Sequence, residues 1–458
     1  MNLKSNKNKK SNPIIKFIDY LKEMGEGPFV LLAWLCIFYG LVVARFIMHR
    51  FGMDEGIIRE TIQIVIACIP VILFFIFRKK FPKKNYVPFF ILLAGVIILI
   101  IVTVIFNPAV RPFLFRTGYG LDRVLRPDAA IYAFLFFSLV DKPEHTLSTL
   151  RIYSYLESLY LLVIEFMPAF IRGYWEEIGP NGETLQLSYS LTIGYAVLFP
   201  TVVFMYFAFR ENRKADFFMA VLGVYMIFTQ GNRGALVLSV GYMILMLISD
   251  IKEIKNIEDI KAVLGKKLVK FILFMCTLLV LMFAVKGVKM LTTSGTDVSA
   301  EKVEEDNRNL QMFKDGSFTD DNGRKAIWEA SYAGIKEHHF LGGGFFADRP
   351  YVAPVHAVGH SHNLIVEFMA DFGILGLVMC IILALVSIRM VFFTKERDWR
   401  ELFMIMFCTS CQLLISRSFW YIFNFWATLA IVYKYYSIHG SLIVNKIIEH
   451  KNERSKRG

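Results

Sequence analysis

Long apolar runs recur along this chain, separated by short polar breaks. Twelve stand out, at 28–48, 60–77, 86–106, 128–140, 157–172, 187–209, 217–231, 235–249, 268–291, 372–394, 401–416 and 419–436. An apolar stretch of about 18 residues or more, wound as a helix, crosses the roughly 30 Å hydrocarbon core of a bilayer. Nothing in these runs alternates with period two. That excludes a barrel and leaves helices, which satisfy their own backbone groups in lipid. The pattern predicts an all-α, polytopic membrane helix bundle of about 12 transmembrane helices. The fourth, fifth, seventh and eighth runs are short or polar for a span. The chain divides into a basic tail (1–27), a first bundle of about nine spans (28–291), one long polar loop (292–361), the C-terminal spans (362–436) and a second basic tail (437–458).

Charge orients the pattern. With the amino terminus inside the cell, the strongest basic clusters fall on one side. They are Arg78 to Lys80 with Lys83 and Lys84, then Lys142 and Arg151, Arg210 to Lys214, Lys252 to Lys267, Lys395 to Arg400 and the carboxy-terminal tail. This satisfies the positive-inside rule. It places both termini in the cytoplasm and the 292–361 loop outside. The short outer connections carry arginine and no lysine: Arg50, Arg59, Arg111, Arg116, Arg123, Arg126, Arg172, Arg233 and Arg417. A guanidinium fork grips phosphate oxygens in pairs, so this set fits an anionic, phosphate-bearing partner; headgroup contacts are the plainer reading.

Composition adds little to the fold and narrows the chemistry. The chain is 55% hydrophobic with formal net charge +12. Its mean hydropathy is +0.49. Cytoplasmic lysine and contact with anionic lipid account for the charge, and no basic recognition helix points to nucleic acid. The six cysteines lie in or beside apolar runs and read as buried hydrophobes, including the Cys408-x-x-Cys411 pair. No Walker A, no G-x-G-x-x-G and no loop D-x-D suggests a nucleotide or nucleotide-sugar substrate.

Candidate chemistry collects in two places. The tight turn Thr229-Gln230-Gly231-Asn232-Arg233-Gly234 fixes Arg233 at a membrane boundary. The long loop holds the rest. After an acidic opening, Gly323 to Ile335 predicts a short amphipathic helix, with Ala326, Ile327, Ala330 and Ile335 on its apolar face. Arg324 starts that helix, and Trp328 suits the interface or a sugar-stacking wall. His338-His339 and Gly342-Gly343-Gly344 follow, then His356, His360 and His362 within seven positions. The three histidines admit zinc ligation, a structural role, or general-base work on a hydroxyl, since imidazole titrates near neutral pH. Asn363 can orient a histidine or cap the next helix. Glu367 and Asp371, one turn apart, suit sugar hydroxyls or a water boundary.

These residues resemble a known family. His362-Asn363-Leu364, Glu367 and Gly373-x-x-Gly376-Leu377 are similar to the signature of the O-antigen ligase and O-antigen polymerase superfamily. Gly323-Arg324, Trp328 and Gly342-x-Gly344 resemble the segment preceding it, and Gly231 to Gly234 its earlier arginine turn. Asn232 stands where serine is common, and Glu367 where glutamine is frequent. The resemblance implies a GT-C-like fold and a metal-independent, cofactor-free glycosyltransferase in the cytoplasmic membrane, acting on the outer side on glycans carried by undecaprenyl pyrophosphate. It implies that Arg233 and Arg324 hold the pyrophosphate and that His362 accepts or positions the acceptor proton, with His360 assisting. Asn363, Glu367, Trp328, Arg116 and Arg123 are the expected substrate-binding residues. Expected partners are the lipid-linked donor, a glycan acceptor, the bilayer and other polysaccharide-assembly membrane proteins. Polymerase is favoured over ligase. A lipid-linked sugar transporter is a weaker reading, because no internal repeat appears and the unusual polar residues gather in one outer loop.

Overall fold

A computed structural model describes residues 23–50, 56–116, 119–172, 174–178, 184–187, 190–251, 257–293, 323–356 and 359–457. The acidic opening of the long loop and most of the amino-terminal basic tail lie outside them. The protein is a polytopic helical membrane protein. Its helices are α1 (Glu26–Arg50), α2 (Gly56–Phe77), α3 (Lys83–Phe106), α4 (Arg111–Leu114), α5 (Leu121–Leu125), α6 (Tyr132–Ser138), α7 (Pro143–Tyr160), α8 (Met167–Arg172), α9 (Leu191–Phe209), α10 (Lys214–Thr229), α11 (Arg233–Ile251), α12 (Ile257–Thr293), α13 (Arg324–Glu337), α14 (Arg349–Val352), α15 (Leu364–Phe372), α16 (Ile374–Phe393), α17 (Arg397–Ser410) and α18 (Phe423–Arg457). A π-helical stretch, Leu161–Phe166, joins α7 to α8. The one departure from an all-helical chain among the described residues is a short antiparallel hairpin, β1 (Trp175–Ile178) with β2 (Thr184–Leu187).

Each predicted apolar run falls on a helix. Seven helical stretches among the described residues are long and apolar enough to cross a membrane: Thr61–Lys80, Lys83–Phe106, Pro143–Arg172, Thr192–Phe209, Arg233–Asp250, Lys267–Ala284 and Ile374–Phe393. The run expected at 128–140 is only the two-turn α6, and the run at 401–416 is α17 followed by a single 3₁₀ turn, Cys411–Leu414. The Thr192–Phe209 window, within α9, is the bundle's centre; 78% of it is buried, against 11% to 28% for the other six. It packs on α7, α10, α11 and α17. By contrast α3 leaves Ile91, Ile98 and Ile105 bare along its length. That apolar exposure is what a lipid-facing helix requires, since hydrocarbon and not water is its solvent.

Ion pairs tie the helix ends opposite the long loop. Arg151 and Asp216 join α7 to α10, with the guanidinium Nη2 2.8 Å from the carboxylate. Arg210 at the end of α9 reaches Asp250 of α11 and Glu401 of α17. These arginines are accounted for by pairing inside the bundle.

Candidate functional site

The described part of the long loop is an ordered unit. Helix α13 buries Ile327, Ser331, Gly334 and Ile335, while Ala326 is exposed. The buried face is thus set by Ile327 and its neighbours one and two turns on, not by Ala326. That face packs on α14 and α15. Gly334 is closely overlain by the Tyr351 ring, so a side chain there would collide.

The triple glycine runs beside the end of α15. Gly343 N–H donates to the Ala370 carbonyl (2.8 Å) and Gly344 N–H to that of Asp371 (3.0 Å). Gly342 and Gly344 have φ of 87° and 89°, a region glycine enters without steric cost. On the other side the loop is clasped by α3. Phe345 N–H donates to Thr103 Oγ1 (2.8 Å), and Asn107 Nδ2 to the Gly343 carbonyl (3.0 Å).

Beneath the histidines lies a buried charge network. Arg349 donates from Nη1 to the Gly359 carbonyl (3.2 Å) and from Nη2 to Glu367 Oε1 (3.4 Å), and its guanidinium lies over the Phe346 ring. Asp348 accepts from Ser361 N–H (2.7 Å) and Ser361 Oγ (2.6 Å). Glu367, fully buried, accepts from Ser418 Oγ and from Phe419 N–H. Asp371 accepts from Ala347 N–H and Trp420 Nε1. Burial first, then the neighbouring Asp348 carboxylate, pushes Glu367 and Asp371 up from their ordinary values. One cation among three carboxylates requires that at least some be protonated or hydrogen-bonded.

On this base sits the histidine cluster. Ser361 is pinned by Asp348, by Ser331 Oγ (3.0 Å) and by Trp328 Nε1, which donates to its carbonyl (3.2 Å). Its two neighbours are thereby fixed. The His360 and His362 rings stack at 4.1 Å, and His356 meets His362 edge-on at 5.5 Å. His362 has φ of 51°, in the left-handed region that few non-glycine residues occupy. Its Nε2 is buried and makes no hydrogen bond among the described residues. Burial, then His356, Arg324 and Arg349, lower its pKa to about 4. At neutral pH the ring is uncharged and can accept a proton. Among the described residues, no group of three or more His, Cys, Asp or Glu is arranged to hold a metal ion.

The expected site residues divide by position. Arg324 lies close enough to His362 to act on its charge. Arg324 and Arg417 both act on the Tyr195 hydroxyl. The Arg233 turn reaches the same place: a side chain on Gly234 would strike the Tyr195 hydroxyl and Ile415, and one on Gly194 would strike Asn232. Asn363 caps α15, accepting from Ile365 and Val366 N–H, while its Nδ2 donates to the Leu414 carbonyl (3.2 Å). Glu367 is taken up by Arg349 and Ser418, and Trp328 by Ser361. Arg116 is exposed, its guanidinium over the Tyr119 ring. Arg123 lines a cavity of about 260 Å³ together with Arg126, Tyr39, Tyr195, Arg417 and Tyr421.

Sequence reasoning missed Arg349 and Asp348. They sit in the loop as an ordinary Asp-Arg-Pro, and only folding shows that both are buried. It also left Arg417 among many boundary arginines, although its sequence neighbour Ser418 bonds to Glu367.

The class is thus a polytopic helical membrane protein with a histidine–arginine centre on an ordered segment between spans. Residues 218–381, from α10 into α16, match the family model described as O-Antigen ligase (Wzy_C). Over that stretch, less than half of its length, the chain is similar to this family. Arg233, Arg324 and His362 fall inside the matched stretch; Arg123 and Arg417 fall outside it. No curated protein and no solved structure matches the chain.

Proposed function

We propose that this protein is an extracytoplasmic glycosyltransferase that joins oligosaccharide repeat units carried on undecaprenyl pyrophosphate into capsule, exopolysaccharide or O-antigen. The observation that carries the reading is His362, a neutral imidazole with an uncommitted Nε2, held beside Arg324. In the reaction an acceptor hydroxyl attacks the anomeric carbon of the donor sugar. The bond from that carbon to the lipid diphosphate breaks, and His362 takes the hydroxyl proton. Arg324 and Arg233 bind the diphosphate and stabilise the charge it gains on leaving. His360 keeps the His362 ring in place by stacking, and Arg116 and Arg123 receive the substrate's anionic parts. Asn363, Trp328 and Glu367 position the segment beneath the substrate. Transfer from a pyrophosphate is downhill, so positioning and leaving-group stabilisation suffice and no cofactor is needed.

The same chemistry serves a ligase that moves finished glycan to a lipid, wall or protein acceptor. Purified full-length protein supplied with lipid-diphosphate repeat units separates the readings. A ladder of products supports the polymerase, a single transfer to an added acceptor supports the ligase, and no transfer by a folded protein refutes both.

A further inference from the structure

The cavity at the loop end of the bundle holds Arg417, which the catalytic reading leaves without a task, together with Arg123, which that reading assigns only to an unspecified anionic part of the substrate. Its floor is aromatic, with Phe38, Tyr39, Phe199 and Phe423, and Arg123 and Arg417 stand among its polar groups. Four other arginines, at 126, 151, 210 and 349, each pair with a carboxylate. Arg123 and Arg417 have no such partner among the described residues. Two carboxylates share the cavity wall: Asp128 is taken by Arg126 from both Nε and Nη2, and Asp122 accepts from Gly120 N–H. Arg417 also holds φ at 66°, a left-handed conformation that costs a branched or long side chain strain a glycine would avoid. Burial disfavours its charge, and so does Arg123. Two guanidinium groups that repel one another across one cavity, one of them on strained backbone, are stabilised by an anion placed between them.

We infer that Arg417 and Arg123 form an anion clamp at this cavity, taking a substrate group that presents two or more negatively charged oxygens. The inference rests on the reading that the substrate is a lipid-linked glycan. That chemistry has two sources there: the diphosphate of the carrier, or the carboxylate of an acidic sugar whose ring lies on the aromatic floor. Tyr39 lines the same cavity, close enough to feel the charges of both Arg417 and Glu157.

The test is binding to purified full-length protein by isothermal titration calorimetry, with farnesyl diphosphate, inorganic pyrophosphate and glucuronate as separate probes. Arg417→Gly and Arg123→Gln should each weaken the bound probe about ten-fold or more, the loss expected for one charge-assisted contact. Arg417→Gly should do so with an unchanged or higher melting temperature, because glycine relieves the backbone; a merely structural arginine would instead lower it. Loss confined to the two diphosphates assigns the carrier as source, and loss confined to glucuronate assigns the sugar. Wild-type protein that binds none of the probes, or variants that bind them as tightly as wild type, overturns the clamp. His362→Ala separates this from the catalytic reading, since it should bind the probes normally while making no product.

Discussion

Replacing Arg324 with glutamine removes one of the positive groups that keep His362 uncharged. The wild-type ring falls from 6.5 to about 4 through burial, His356, Arg324 and Arg349 together. That depression corresponds to about 3 kcal/mol against the imidazolium. Burial is the largest contributor, so Arg324→Gln should raise the value without restoring it. The assay is kcat/KM for glycan transfer by purified protein between pH 3.5 and 8, on a lipid-diphosphate donor. A general base works only when deprotonated, so activity should be flat through neutrality and fall as pH drops through about 4. In Arg324→Gln the same acid limb should lie higher, on a lower plateau. His362→Ala should lose about 10²- to 10⁴-fold and take the acid limb with it. A wild-type limb near 6.5, or a limb near 4 that survives in His362→Ala, would refute the reasoning. The sign for stability follows from the same shift. The unfolded ring binds a proton below about 6.5 and the folded ring only below about 4, so this group makes folding less favourable as pH falls between those values.

Three further outcomes test the surroundings. Arg349→Met leaves Asp348, Glu367 and Asp371 without their cation, and thermal unfolding should show about 3–5 kcal/mol of lost stability; a loss under about 1 kcal/mol would mean the carboxylates are already neutral. Gly344→Ala places a methyl 2.1 Å from Thr103 Oγ1 at φ 89°, which should cost about 1–3 kcal/mol. The double variant with Thr103→Ala should not recover it all, because the backbone cost stays. Transfer should persist in excess chelator, and loss reversed by added zinc would instead assign the histidines to a metal.

Much of the architecture was legible because hydrocarbon permits few solutions. Each long apolar run had to be a helix, and the amphipathic segment after Gly323 had to lie on a surface. The turn at Arg233 and the His360–His362 pair were legible as unusual polar residues at boundaries. The burial of Asp348 and Arg349 was not, since nothing local separates a buried Asp-Arg-Pro from a solvated one. Glu367 read as a group for substrate because sequence spacing shows which helix face it occupies and not what covers that face. Here Ser418 and Arg349, distant in the chain, cover it. The shortness of α6 within the apolar run at 128–140 was not legible for a related reason. Neighbouring residues in irregular turns carry the same hydrophobicity when the site they serve is enclosed by protein.

The clasp between α3 and the triple glycine has a mechanical consequence. Thr103 and Asn107 sit at the last turn of a helix whose other faces meet lipid, and their two hydrogen bonds end on Phe345 and Gly343, next to the network that seats His362. A helix so exposed tilts to match the thickness of its bilayer, at a cost of fractions of a kcal/mol per Å. Its tip cannot move without drawing the glycine strand along. The acyl length of the surrounding lipid is therefore expected to reach the backbone beside His362 as a mechanical tug, with no ligand involved.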